Sequence, residues 1–295
     1  MMRSGFVPAL GTPVDTNGDL LLDSYKKQIE DQIQAGASAV LCMGSMGIQP
    51  YLKQETSYRA AKAAVDAVAG RIPVFIGAMD TSIIRAKERM SAMDNLDFAG
   101  FVFTTPYYYS VSRDQMINFY KGVASATKHK VLLYDLAVVT QSKITYDVVL
   151  QLIREVPNIA GIKSADMVML RKMKLSPEVP EEFIMLYSGL DSFDVAYKWG
   201  ITGCLDGMLS CTPYNTGKLF ASMADNDWDT AAKCLDNITG LRDLFLTLDL
   251  WPAFTAAMNM LGYEGCFNPD YVSALKEGAF DKIKEMMIHI GEPVL

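Results

Sequence analysis

The sequence predicts an α/β fold of the (β/α)8 barrel type with a C-terminal helical extension, and three observations carry that prediction. Eight short apolar runs recur along the chain, amphipathic stretches separate them, and no strand-like run follows residue 206. Buried parallel strands read as short unbroken apolar segments because both of their faces are covered. Alternating strands and helices imply a parallel sheet with helices outside, and eight repetitions favour closure over an open doubly wound sheet. The length of 295 residues allows two domains at roughly 150 residues each, yet a single barrel of about 250 also fits. No Pro/Gly/Ser tract, charged block or low-complexity run divides the chain. Residues 1–225 therefore read as the barrel and 226–295 as helices packed on it.

The strands are expected at 6–10, 39–43, 74–77, 100–104, 131–134, 160–163, 184–188 and 203–206. Segments such as Val74-Phe75-Ile76-Gly77 and Val131-Leu132-Leu133-Tyr134 are apolar without a break. Between them, apolar residues spaced three and four apart predict helices over 24–35, 54–69, 83–95, 113–127, 146–154 and 212–224. The stretch 227–295 keeps helical periodicity over a length that suits three helices.

Composition removes several function classes. At 50% hydrophobic residues the chain is far too apolar for general disorder. A net charge of -7 argues against nucleic acid or an anionic membrane as partner. Five irregularly spaced cysteines without a CxxC pair, and only two histidines, argue against a metal site and for a reducing compartment. The N-terminus lacks the uninterrupted apolar core of a signal peptide, and no apolar run approaches 18 residues. The expected location is the cytoplasm.

In a barrel, catalytic residues cluster where strands end at the C-terminal face. The sixth strand ends in Lys163, the fifth in Tyr134-Asp135, and the fourth runs into Thr105-Pro106-Tyr107-Tyr108-Tyr109. A lysine enclosed at a barrel mouth has its ammonium form disfavoured by desolvation, and the neutral amine can attack a ketone to form a Schiff base. On position alone, an ordinary solvated lysine is the commoner case. The tyrosines suit proton transfer or, equally, aromatic packing. Gly44-Ser45-Met46-Gly47 after the second strand can present backbone N–H groups to a carboxylate. The same glycines also suit a tight turn for steric reasons alone. Cys42, with no histidine near it in sequence, reads as a packing residue. His129 and His289 read as surface residues remote from the site.

These segments together resemble the dihydrodipicolinate synthase and N-acetylneuraminate lyase family of Schiff-base aldolases. The resemblance runs from Ala9-Leu10-Gly11-Thr12-Pro13 through the glycine turn at 44–48, Thr105-Pro106-Tyr107-Tyr108, Tyr134 and Gly161-Ile162-Lys163 to the C-terminal helices. It implies that Lys163 forms the Schiff base with a 2-oxo acid such as pyruvate. Tyr134 would be the central acid/base group. Gly44, Ser45 and the backbone around Met46 would hold the carboxylate. Tyr108 would reach across a subunit interface to a relay through Ser45, so the resemblance also implies a homotetramer built from dimers. The imine is its own electron sink, so the chemistry needs neither metal nor cofactor.

Departures from the family pattern bear on the substrate. Met46 replaces a hydroxyl residue and cannot donate to a carboxylate through its side chain. Ile48 replaces a glutamate. Tyr134-Asp135-Leu136-Ala137 lacks the usual proline. Val139 stands where the synthases carry an arginine for the second substrate's carboxylate, which argues against aspartate-semialdehyde condensation. Gly189 and Asp191 match sugar-contacting positions of the lyase branch, whereas Ser192 and Ala165 do not. Asp206 is a further pocket carboxylate or, equally, a loop cap. The expected activity is a pyruvate-forming lyase acting on a hydroxylated or sugar-derived 2-oxo acid. The alternatives are a dehydratase of a 2-oxo-3-deoxy sugar acid, using the same imine, and a noncatalytic ligand-binding relative.

Overall fold

The computed structural model describes residues 4–295. Its first part runs β1 (Gly5–Pro8), α1 (Leu22–Gln34), β2 (Val40–Cys42), α2 (Gln54–Val68), β3 (Val74–Gly77), α3 (Ile83–Ser91), β4 (Gly100–Thr104) and α4 (Arg113–Ala124). There follow β5 (Lys130–Tyr134), α5 (Ala137–Thr140), α6 (Tyr146–Glu155), β6 (Ile159–Ser164), α7 (Met167–Lys174), β7 (Ile184–Tyr187), α8 (Phe193–Lys198) and β8 (Gly203–Asp206). Helices α9 (Met208–Cys211), α10 (Pro213–Ala224), α11 (Trp228–Leu248), α12 (Leu250–Met260) and α13 (Ala279–His289) complete the fold.

All strand pairs are parallel, in the order β1-β8-β7-β6-β5-β4-β3-β2. Between β1 and β2 the ring closes through a single bridge, Ala9 to Leu41, where Leu10 N–H donates to the Leu41 carbonyl at 2.9 Å. The β7–β8 ladder is equally thin, with one registered pair, Tyr187 and Cys204. Strands β4 and β5 are paired along their length, and β5 and β6 pair through Tyr134 and Lys163 with one register shift between Val131 and Leu132. Alternation along each strand divides the core in two. Val7, Leu41, Phe75, Val102, Leu132 and Leu205 fill the barrel interior, while Phe6, Ile76, Phe101 and Leu133 face the surrounding helices.

Local chemistry fixes the helix ends. Ser112 and Gln115 form a reciprocal capping box at α4. Asp166 caps α7 by accepting from Met169 N–H at 2.9 Å. Helix α10 starts with Pro213, which is preset for a first turn. The buried Glu292 accepts from the next two backbone N–H groups, Tyr214 and Asn215, at 3.1 and 3.0 Å. The chain end is thereby pinned to the barrel.

Several sequence expectations shift. Helices expected over 83–95 and 113–127 end earlier, at Ser91 and Ala124. Helices α5, α7, α8 and α9 were not expected, because four to eight residues are too few to show a helical period. The C-terminal stretch carries three helices, broken at Asp249, whose φ is 100°. It also holds an antiparallel bridge, in which Cys266 and Val14 exchange backbone hydrogen bonds at 2.9 and 3.0 Å. Among the described residues, no helix is long and apolar enough to cross a membrane.

Candidate active site

Lys163 and Tyr134 are registered partners on β6 and β5. Being opposite each other on neighbouring strands, they point to the same side of the sheet, into the barrel mouth. Lys163 Nζ donates to Tyr134 Oη at 2.9 Å and lies 4.1 Å from the centre of the tyrosine ring. Both side chains are buried, at 6% and 4% exposure. Ser45 Oγ lies 3.4 Å from the same Tyr134 Oη. The structure therefore places an amine, a phenol and a hydroxyl in one contiguous chain. An arrangement of this kind can hold a nucleophilic amine beside a group that takes and returns protons.

The turn that supplies Ser45 is tightly built. A Cβ on Gly47 would lie 2.8 Å from both the Leu10 carbonyl oxygen and Met43 Cα, so the position has no room for a side chain. Thr12 Oγ1 ties the turn down by donating to the Gly47 carbonyl at 2.8 Å. Gly44 packs on Leu41 in the same way. Met43 and Ile48 flank the turn with φ of 58° and 47°, a left-handed conformation that is costly for a β-branched isoleucine. The half-buried Met46 lies across Gly207, where an added Cβ would stand 2.1 Å from Met46 Cγ. Residue 46 thus covers the entry to α9 beside Asp206.

Asp206 ends β8, half-buried, and accepts from Met208 N–H at 2.9 Å. Burial pushes its carboxyl above the ordinary value, and the nearby charges of Lys163 and Arg242 offset part of that rise. Asp191 lies on the turn after β7, its side chain 70% exposed, and receives both terminal nitrogens of Arg242 at 2.7 Å. This pairing holds the Asp191 carboxyl below its ordinary value. Gly189 has no space for a Cβ, which would meet the Tyr187 hydroxyl at 2.2 Å. Tyr187 Oη in turn pairs with Ser192 Oγ at 2.8 Å. Val139 lies exposed on α5 at the rim.

Tyr108 does not join this group within the chain. It is 80% exposed, with φ of 88°, and among the described residues its hydroxyl bonds to neither Ser45 nor Tyr134. His129 is corrected: it is half-buried, stacked on Phe98 with ring centres 4.0 Å apart. It precedes β5, at the opposite end of the barrel from Lys163, and its stacking partner 31 residues away gave no local sequence signal. His289 is exposed on α13. Cys42 is buried, shares a 3.0 Å hydrogen bond with the Tyr25 hydroxyl, and has its thiol pushed up to about 12 by burial. It is inert packing.

Two features escaped the sequence. Directly behind the Lys163–Tyr134 pair, the buried Asp135 carboxylate accepts from Lys143 Nζ, from Ile144 N–H at 3.1 Å and from Ser164 Oγ at 2.7 Å. Lys143 also reaches Asp166 at 3.1 Å. This clasp joins the ends of β5 and β6 to the segment that follows α5. The second is Arg242, whose position in α11 sets it outside the strand ends where chemistry was sought.

A model of the dihydrodipicolinate synthetase family matches residues 2–269. A 4-hydroxy-tetrahydrodipicolinate synthase of Phenylobacterium zucineum is 29% identical over 263 residues, 88% of each chain. Its Bartonella henselae counterpart is 25% identical over 98% of this chain and 99% of its own. Among solved structures, YagE, an E. coli prophage protein of the dihydrodipicolinic acid synthase family in complex with pyruvate, superposes with a TM-score of 0.88 at 23% identity, covering 98% of this chain and 99% of its own. The Thermotoga maritima dihydrodipicolinate synthase gives 0.89 at 19% identity, covering 99% of each chain. With its eight-stranded barrel and a family match over nearly its whole length, the chain belongs to the dihydrodipicolinate synthetase family and is an enzyme of the lysine Schiff-base, class I aldolase/lyase kind.

Proposed function

We propose that the enzyme reversibly cleaves a hydroxylated or sugar-derived 2-oxo acid, with pyruvate as product or donor. The observation that carries this reading is the 2.9 Å contact between buried Lys163 Nζ and Tyr134 Oη. The amine adds to the C2 ketone and the adduct loses water, leaving an iminium. Deprotonation of the C4 hydroxyl then drives the C3–C4 bond electrons into the iminium, releasing an aldehyde and leaving an enamine. Protonation at C3 and hydrolysis give pyruvate and free Lys163. Tyr134 is the group that carries these protons, and Ser45 passes them on.

Ser45, Gly44 and the backbone at Met46 hold the substrate carboxylate in this reading, through backbone donors where the Met46 side chain has none. Exposed Tyr108 completes the relay of a second copy, as in a homotetramer assembled as a dimer of dimers. Gly189, Asp191 and Asp206 face the substrate tail, as in an N-acetylneuraminate-lyase-like pocket. Relatives bear the name 4-hydroxy-tetrahydrodipicolinate synthase. Val139 gives this chain neither charge nor hydrogen bond for a second carboxylate, so we assign it a different acceptor. Residues 1–225 form the barrel that carries the bond-making groups, 226–295 form a helical extension packed on it, and the enzyme is assigned to the cytoplasm.

Borohydride reduction in the presence of pyruvate tests the reading. It should add a pyruvate-derived mass to Lys163 and nothing in Lys163→Ala. Substrate turnover should yield pyruvate and an aldehyde. A dehydrated acid of unchanged carbon count would refute cleavage and identify a dehydratase.

A further inference from the structure

Arg242 is anchored in α11, outside the barrel, yet its guanidinium reaches the turn after β7. Nη1 donates to Asp191 Oδ2 and Nη2 to Asp191 Oδ1, both at 2.7 Å. Nε and Nη2 donate to Asp243 Oδ1 at 2.9 and 2.7 Å. One cation thus holds two carboxylates, and the trio carries a net negative charge. A solvent-exposed ion pair contributes little stability, so a two-pronged clamp on an exposed carboxylate calls for another explanation. Bidentate geometry fixes the carboxylate plane as well as its position. Asp191 therefore presents lone pairs in a set direction at the barrel mouth, where Asp206 ends the next strand.

A hydroxyl entering this place finds acceptors already oriented, with little left to order on binding. A terminal carboxylate or phosphate finds net negative charge and an arginine already occupied. We propose that Arg242 is the positioning residue that sets substrate choice: it holds Asp191 as a hydroxyl acceptor, so the site takes uncharged polyhydroxylated tails and rejects anionic ones. This rests on the Schiff-base lyase reading and specifies its substrate class.

The test uses the full chain in the condensing direction, with pyruvate and either D-glyceraldehyde or D-glyceraldehyde 3-phosphate. Wild type should favour the neutral aldehyde by at least tenfold in kcat/KM. Arg242→Met should raise KM for D-glyceraldehyde about tenfold with kcat changed less than threefold. The half-reaction that the tail never enters, borohydride trapping of pyruvate, should keep its rate. Asp191→Ala, at an exposed position that threatens no folding, frees Arg242 Nη1 and removes the net negative charge, while Nε and Nη2 stay on Asp243. Its preference should swing at least tenfold toward the phosphorylated aldehyde. If pyruvate is trapped but the ratio between aldehydes stays within twofold of wild type in both variants, the Arg242 assignment alone falls. If wild type traps no pyruvate, the lyase reading falls and takes this assignment with it.

Discussion

Replacing Lys143 by methionine isolates the clasp behind the Lys163–Tyr134 pair. The Asp135 side chain is 3% exposed and Lys143 42%. The variant therefore strands a buried carboxylate that keeps only Ile144 N–H at 3.1 Å and Ser164 Oγ at 2.7 Å. Removing one partner of a fully buried pair costs about 3–5 kcal/mol. The lysine is already partly hydrated, which lowers that figure. With two hydrogen bonds retained, the expected loss at pH 7 is about 2–3 kcal/mol. Urea unfolding at fixed protein concentration measures it. Adding Asp135→Asn, which removes the stranded charge, should recover most of the loss. A loss below about 0.5 kcal/mol, or one that Asp135→Asn leaves unchanged, would refute a charge-based clasp.

Tyr134→Phe removes the hydroxyl shared by Lys163 and Ser45, and turnover should drop by about 10²–10⁴ while the fold persists; steady-state kinetics within threefold of wild type would remove Tyr134 from the chemistry. Met46→Thr exchanges a thioether for a hydroxyl donor in the turn proposed to hold the carboxylate, and the KM for pyruvate should fall by about tenfold, as one added hydrogen bond to a charged group permits. An unchanged KM would show that backbone donors alone hold the anion. Burial pushes the Glu292 carboxyl above its ordinary 4.5, so the folded chain holds that proton more tightly than the unfolded one. Its stabilising share is full below about pH 4.5 and is lost as pH rises through the raised value. The stability difference between wild type and Glu292→Gln should therefore shrink from pH 4.5 to pH 7, and a flat difference in urea unfolding would contradict it.

The fold was largely legible because each buried strand is a continuous apolar run and each long helix repeats its apolar face. Lys163, Tyr134 and Ser45 were legible because all three fall at the C-terminal ends of strands or just after them, the one place where a barrel gathers side chains. What stayed hidden depends on pairing at a distance. Lys143 meets Asp135 eight residues away across an unpredicted helix, and Arg242 meets Asp191 across 51. No periodicity signals either contact. Helices α5, α8 and α9 were too short for a pattern, and they are the segments that shape the rim.

The two thin ladders divide the barrel into unequal parts. Strands β8 and β1 form a narrow plate, joined to the body of β2–β7 at one edge by the Ala9–Leu41 bridge and at the other by the single Tyr187–Cys204 pair. Lys163 and Tyr134 sit within the body, as registered partners on strands joined by four pairs. The glycine turn with Met46 follows one seam, and Asp191 and Asp206 flank the other. On the proposed function, the groups assigned to substrate choice thus stand along the joints, and the amine and phenol assigned to bond-making stand as a registered pair within the body. On that reading, a scaffold divided in this way would let a substitution along a joint act on substrate choice without touching the strand pairing that holds the amine against the phenol.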